Sequence, residues 1–214
     1  MNRHDLVYVS PAKWRTLIRT SVELAENPLV ATWVERGWPL VGRRANAGEG
    51  QGVTLGLPLP PSAGKKRLSF LMQPEDVVAV MPSPNLASAL RVAPGCWEPT
   101  LLRLGRLAAE QGVEARVFGS LAWQMITGLD YLTERSDLDF ALHVHRYTQL
   151  RPLADELAHI EDDAPMRLDG ELIRGGSAVN WRELRAGAED VLVKTILGIT
   201  LFSADQFLRG RMPI

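Results

Sequence analysis

The stretch that decides the fold is Ala115–Val144, ARVFGSLAWQMITGLDYLTERSDLDFALHV. Ala115–Phe118 reads as a short strand that runs into Gly119-Ser120, and a helix follows at once over Leu121–Thr127, closed by Gly128. Glycine lets a phosphate come close to the backbone. The serine hydroxyl and the unpaired N–H groups of a first helical turn can then face it, with the positive end of the helix dipole behind them. Ser136-Asp137-Leu138-Asp139 opens the next predicted strand, Leu138–Val144. Side chains alternate along a strand, so Asp137 and Asp139 are expected on one side and Leu138, Phe140 and Leu142 on the other, in the core. Two carboxylates so close repel each other unless a cation lies between them. Two adjacent magnesium ions, hard cations that take oxygen ligands, would satisfy the pair and clamp a polyphosphate held at Gly119 and Ser120.

Outward from this stretch, Pro99–Gln111 carries a helical apolar pattern through Leu101, Leu102, Leu104, Leu107 and Ala108. Tyr147–Ile160 reads as a helix, and Met166–Asp169 and Val191–Thr195 read as strands. The N-terminal part is punctuated differently. Ser10-Pro11 opens a predicted helix to about Ala25 and Asn27-Pro28 opens a second. Pro39–Arg43, Val53–Leu57 and Arg67–Met72 read as strands. Prolines 82, 84, 94 and 99 crowd one stretch, and the boundary is placed there, giving modules 1–92 and 93–214. The fold class is α/β in the α+β sense, a C-terminal mixed sheet flanked by helices with a smaller N-terminal α/β module.

The 214 residues hold 24 basic and 25 acidic side chains, with 46% hydrophobic and 23% charged residues. That composition suits a globular chain and gives no global charge with which to hold nucleic acid. The charge is local. Arg36, Arg43, Arg44, Lys65, Lys66 and Arg67 stand against Glu49 between residues 36 and 70, whereas 154–172 holds seven acids and Arg167. The two regions are either solvated faces or, for the basic one, a grip on a phosphate-bearing substrate or an acidic partner. A single cysteine, Cys96, excludes an internal disulfide and a multi-cysteine zinc site and reads as a small apolar filler. The start, MNRHDLVYV, has no long apolar core, and Val191–Phe202 contains Lys194 and is too short to span a bilayer. A cytoplasmic protein without membrane attachment is expected.

The order of Gly-Ser, helix and Asp-x-Asp resembles the nucleotidyltransferase fold shared with the DNA polymerase beta superfamily. More narrowly, the chain resembles the phosphoribosyl-dephospho-CoA transferases, the holo-acyl-carrier-protein synthases of malonate decarboxylase. The matching segments are HDLVYV (His4–Val9), PLVGRR (Pro39–Arg44), LGLPLPP (Leu55–Pro61), VFGSLAWQMITGLDYLTERSDLDF (Val117–Phe140), RLDGEL (Arg167–Leu172) and VLVKT (Val191–Thr195). The resemblance implies transfer of 2′-(5″-phosphoribosyl)-3′-dephospho-CoA from its triphosphate precursor, triphosphoribosyl-dephospho-CoA, to a serine of the apo acyl-carrier subunit, with release of pyrophosphate. Asp137 and Asp139 would hold two Mg2+ ions, and Gly119 and Ser120 would cradle the leaving phosphates.

A third carboxylate completes such sites. Asp169 is the candidate, although Asp169-Gly170 is equally a favoured hairpin turn, and Glu171 is the alternative. Lys194 either reaches a phosphate or faces solvent as an ordinary strand lysine. Arg43 and Arg44, with Lys65, Lys66 and Arg67, are candidates for gripping phosphate or an acidic carrier protein. His143 and His145 share the parity of Asp139 but lie far up the strand, where solvent-facing histidines are expected. Trp123 and Trp181 read as packing residues. Two rival functions share the same residues: a nucleotidyltransferase using an ordinary nucleoside triphosphate, and a non-catalytic carrier-binding module with a decayed site. Intact Gly119, Ser120, Asp137 and Asp139 speak against decay.

Overall fold

A computed structural model describes residues 1–46 and 48–212. The chain forms two compact units, Met1–Pro82 and Ser83–Ile214. The break falls inside the proline-rich stretch but ahead of residue 92. The reason is packing: Leu86 and Ala89, on a short helix after Asn85, are buried in the core of the second unit.

The first unit contains β1 (Leu6–Val9), α1 (Pro11–Arg19), α2 (Val22–Ala25), α3 (Pro28–Ala31), β2 (Leu40–Gly42), β3 (Val53–Pro58), β4 (Arg67–Met72) and β5 (Val77–Met81). Its strands form one antiparallel sheet in the order β4-β3-β2-β1-β5. Pro11 starts α1, where a missing N–H is harmless. The helix expected to reach Ala25 instead stops at Thr20, because Ser21 begins a new turn by accepting the Leu24 N–H on its side chain. Asn27 does the same for α3, accepting from Leu29 and Val30. Fully buried Trp14 and Trp33 anchor these short helices by donating their indole N–H groups to Val30 O (3.0 Å) and Pro39 O (2.8 Å).

The second unit contains α4 (Leu86–Ala89), α5 (Glu98–Glu110), β6 (Glu114–Val117), α6 (Gly119–Thr127), β7 (Leu138–His143), α7 (Leu150–Glu161), β8 (Leu168–Arg174), β9 (Ser177–Asn180), α8 (Trp181–Arg185), β10 (Asp190–Lys194), β11 (Ile199–Ser203) and α9 (Ala204–Leu208). The strands make a mixed sheet in the order β11-β10-β9-β8-β7-β6. β7 and β8 run parallel, joined by the α7 crossover, and the other neighbouring strands pair antiparallel. On α7, Leu150, Leu153, Ala154, Leu157 and Ala158 recur at helical spacing and pack into the core with Leu138, Phe140, Leu142, Leu168 and Leu172 of the sheet. The helices thus cover one sheet face, and the odd-numbered residues of β7 and β8 occupy the other. Buried Arg174 ties α9 to this sheet, donating to Phe207 O and Leu208 O and, from its other terminal nitrogen, to His145 O and Thr148 O. Burial lowers its pKa.

Two sequence expectations change here. Asp169-Gly170 is not a turn but lies within β8, and the reversal comes later, at Gly175-Gly176. Gly170 is needed because a Cβ there would sit 2.3 Å from Cζ of the buried Phe140 ring. Cys96, expected as an apolar filler, is exposed.

Candidate active site

The centre of the site is the junction of β6, α6, β7 and β8. Beyond β6 the Phe118 N–H donates to Asp139 O at 3.0 Å, which carries the chain across the start of β7. Gly119 then begins α6 with φ +62°, and a Cβ on it would lie 1.8 Å from Asp139 Oδ2. The Asp139 carboxylate therefore rests directly against the glycine, in space that no other residue would leave. Ser120 follows in the first turn of α6, half-buried.

Asp139 and Asp169 are register partners on the parallel strands β7 and β8, so their Cα atoms are neighbours across a spacing of about 4.8 Å. Asp137 is placed differently. β7 begins at Leu138, so strand alternation does not govern Asp137, and its half-exposed carboxylate lies 3.9 Å from Arg167 Nη1. Glu171, two residues beyond Asp169 on the same strand, is buried and paired with Lys194 Nζ at 3.3 Å. Lys194 pairs in register with Ala178 of β9, which in turn faces Ile173 of β8, so Lys194 shares the sheet face of Asp169 and Glu171. Asp139, Asp169, Glu171 and Lys194 are thus brought to one face.

The support of Asp169 was not visible in the sequence. Its Oδ1 accepts a hydrogen bond from Asn180 Nδ2 at 3.0 Å. Leu168, immediately before it, is held in both peptide groups that flank its Cα. Its N–H donates to Glu161 Oε1 at 2.7 Å, and its carbonyl accepts from Trp181 Nε1 at 3.1 Å and Arg182 Nη2 at 3.2 Å. Glu161 and Arg182 are themselves joined by a two-pronged ion pair. Burial pushes the Glu161 carboxyl up, but the Arg182 guanidinium and the Leu168 N–H outweigh it, so its net shift is downward. An asparagine ahead of a short helix is the one signal the sequence offers, and it announces a cap rather than a partner for Asp169. Trp181 is fully buried, and Trp123 is buried against Tyr131, so both act in packing as expected. Burial also raises the Tyr131 pKa.

His143 ends β7, and His145 Nε2 hydrogen-bonds Gly112 O at 3.0 Å. Arg43 and Arg44 belong to the first unit. Arg43 is committed locally, to both carboxylate oxygens of Glu49 and to the carbonyls of Leu55 (3.2 Å) and Arg44 (2.9 Å). The Arg43 guanidinium holds Glu49 down at about 2. Arg44, Lys65, Lys66 and Arg67 are exposed.

Carboxylate oxygens are the donors Mg2+ prefers, and Asp139 and Asp169 supply them side by side, so the residues fit that ion. Among the described residues, however, no three acidic, histidine or cysteine side chains are gathered into one metal-ligating group. No described helix is long and apolar enough to cross a membrane.

The site of this α+β protein thus sets carboxylates and a lysine on one sheet face, beside a helix that starts on a glycine. Comparison with known proteins narrows the class. Residues 85–205 match the model of the phosphoribosyl-dephospho-CoA transferase MdcG C-terminal domain, and residues 2–83 match that of its N-terminal domain. A phosphoribosyl-dephospho-CoA transferase of Bradyrhizobium diazoefficiens is 50% identical over 209 residues, covering 97% of this chain and 92% of that protein. One from Xanthomonas campestris pv. campestris (strain 8004) is 38% identical over 169 residues, 78% of this chain and 79% of the other. One from Pseudomonas putida (strain W619) is 30% identical over 192 residues, 85% and 81% of the two chains. No solved structure matches. The chain belongs to the phosphoribosyl-dephospho-CoA transferase family, and it is a transferase.

Proposed function

We propose that this chain transfers the 2′-(5″-phosphoribosyl)-3′-dephospho-CoA group from its triphosphate precursor to a serine of the acyl-carrier subunit of malonate decarboxylase, releasing pyrophosphate. The observation that carries the reading is the register pair Asp139–Asp169 with Asp139 seated against Gly119. It puts two carboxylates where a strand, a helix N-terminus and a lysine converge, and the family's name supplies the group transferred.

In the proposed reaction the serine Oγ attacks the α-phosphorus of the triphosphate. The new O–P bond forms as the bond to pyrophosphate breaks, and the serine proton passes to a carboxylate. Asp169 suits that last role, because Asn180 occupies Oδ1 and Oδ2 is the oxygen left for a proton or a cation. Gly119, Ser120 and the N–H groups of the first turn of α6 would hold the leaving phosphates. Lys194, positioned by Glu171, supplies a fixed positive charge on the same face. Asp137, Asp139 and Asp169 would hold Mg2+, which when bound neutralises charge on the triphosphate. Asp137 joins them by turning away from Arg167, a separation of 3.9 Å between exposed groups that opposes little. Arg44 with Lys65, Lys66 and Arg67 is assigned to the acidic carrier, and Arg43 to bracing that loop through Glu49.

The test is a transfer assay with the triphosphate donor, Mg2+ and the apo carrier subunit, read by intact-protein mass, with wild type and Asp139→Ala side by side. Addition of the prosthetic group by wild type alone is expected. Folded wild type that ignores this donor but adds a nucleotide from an ordinary nucleoside triphosphate would replace the reading with the nucleotidyltransferase one. Transfer undiminished in Asp139→Ala would remove the carboxylates from the mechanism.

A further inference from the structure

We propose that Asn180 is a positioning residue for the Asp169 carboxylate, and that three consecutive residues, Asn180, Trp181 and Arg182, fix the Leu168-Asp169 end of β8 in its working geometry. The inference rests on the reading of Asp169 as a metal-binding carboxylate.

Asn180 makes two hydrogen bonds that settle each other. Its Oδ1 accepts from the Arg182 N–H at 3.0 Å, capping α8, and its Nδ2 donates to Asp169 Oδ1 at 3.0 Å. An amide has one acceptor end and one donor end, so using the oxygen for the cap commits the nitrogen to the carboxylate. The backbone completes the arrangement. Asn180 lies in register with Glu171 on the neighbouring strand, so the cap of α8 stands beside β8 through the β-ladder itself. Trp181 and Arg182 grip the carbonyl of Leu168, while Glu161 takes its N–H and closes a ring with Arg182. Asp169 therefore follows a residue whose N–H and carbonyl are both held by side chains, and one of its own carboxylate oxygens is itself tethered.

A donor on one oxygen of a ligating carboxylate orients the other oxygen. Loss of such an outer partner lowers metal affinity by about 10- to 100-fold. Asparagine is the side chain that can do both jobs. Serine caps a helix about as well but is too short to hold both bonds and brings no amide N–H, whereas aspartate caps equally and presents a carboxylate to a carboxylate.

The test measures direct Mn2+ binding by electron paramagnetic resonance and calorimetry, with thermal melts, on wild type, Asp139→Ala, Asn180→Ser and Asn180→Thr. In Asn180→Ser the Mn2+ dissociation constant is expected to weaken by about tenfold or more, with little change in melting temperature because serine keeps the cap. Asn180→Thr also keeps a capping hydroxyl and also lacks the amide N–H, so the same loss of Mn2+ affinity is expected there. Wild-type affinity in Asn180→Ser overturns the proposal. Where that variant does not fold, wild-type affinity in Asn180→Thr overturns it instead. If Asp139→Ala binds Mn2+ as wild type does, the metal reading of the site fails and this inference falls with it. Loss in Asp139→Ala with no effect at Asn180 overturns the positioning role alone.

Discussion

Gly119→Ala tests the core of the site with one methyl group. The Cβ would lie 1.8 Å from Asp139 Oδ2, 2.5 Å from Cγ and 2.9 Å from Cβ of the same residue. An ordinary carbon–oxygen contact is longer by roughly 1.5 Å, so the Asp139 side chain must swing away by about that distance. The backbone adds its own penalty, since φ of +62° costs a residue with a Cβ about 1–2 kcal/mol. A reacting group displaced by about 1 Å loses on the order of 100-fold in rate, so transfer should fall by at least that factor. The fold should weaken by no more than a few degrees in melting temperature. The assay is single-turnover loading of the carrier subunit followed by intact mass, with near-ultraviolet circular dichroism to establish folding. Gly105→Ala is the control. It lies inside α5 with nothing within 4 Å of the added methyl, so it should leave transfer unchanged and stabilise the helix by about 0.5–1 kcal/mol. Folded Gly119→Ala turning over within about threefold of wild type would refute the close seating of Asp139 on Gly119 as a requirement for catalysis.

Gly170→Ala pushes a methyl to 2.3 Å from Cζ of buried Phe140 and should lower stability by about 1–3 kcal/mol; an unchanged denaturation midpoint would contradict the packing. Lys194→Met removes the cation 3.3 Å from buried Glu171. Stability should fall by about 1–3 kcal/mol at neutral pH and by less in acid, where the carboxyl is neutral, which denaturant titrations at several pH values would reveal. Glu49 sits at about 2 because of Arg43. A depressed carboxyl stabilises the fold above its ordinary value of 4.5, and that contribution is lost as pH falls from there toward about 2. Arg43→Ala should return the Glu49 titration, followed by carboxyl NMR, toward 4.5; a midpoint still near 2 would deny the arginine its role.

The elements legible in the sequence were those with a long period or a marked end. The stripe on α5, the Gly119 start and Gly128 stop of α6, and the alternation in β7 were each read within a residue or two of where they lie. Short elements such as β1, β5, β9, β11 and α8 gave too few repeats to register, and their existence depends on neighbours far along the chain. Residue pairs within a local motif were visible, as with Gly119 and Asp139, because a loop and the next strand bring them together. Asn180 was not, since its partner Asp169 is chosen by the β8–β9 ladder, which no local pattern encodes. Arg43 shows the reverse error of a charge that looks available in sequence and is satisfied in the fold by Glu49, six residues on.

The parallel pairing of β7 and β8 explains why Asp169 is the stronger candidate over Glu171. Had Asp169-Gly170 been a hairpin turn, the aspartate would have stood at a loop tip with its side chain set by turn geometry. The α7 crossover instead brings β8 alongside β7 in the same direction, and register then places Asp169 beside Asp139 and Glu171 beside Ala141. Glu171 thus lies one step deeper, buried and paired with Lys194, as suits a carboxylate taken out of water. Asp169, half-buried near the start of β8, has one oxygen bonded by Asn180 and its other oxygen outside that bond, and the residue before it is held at its N–H and its carbonyl. Gly170 lies between the two acids because β8 must run close over Phe140. In RLDGEL the glycine therefore serves the core, and the acid before it is the one we propose for the reaction.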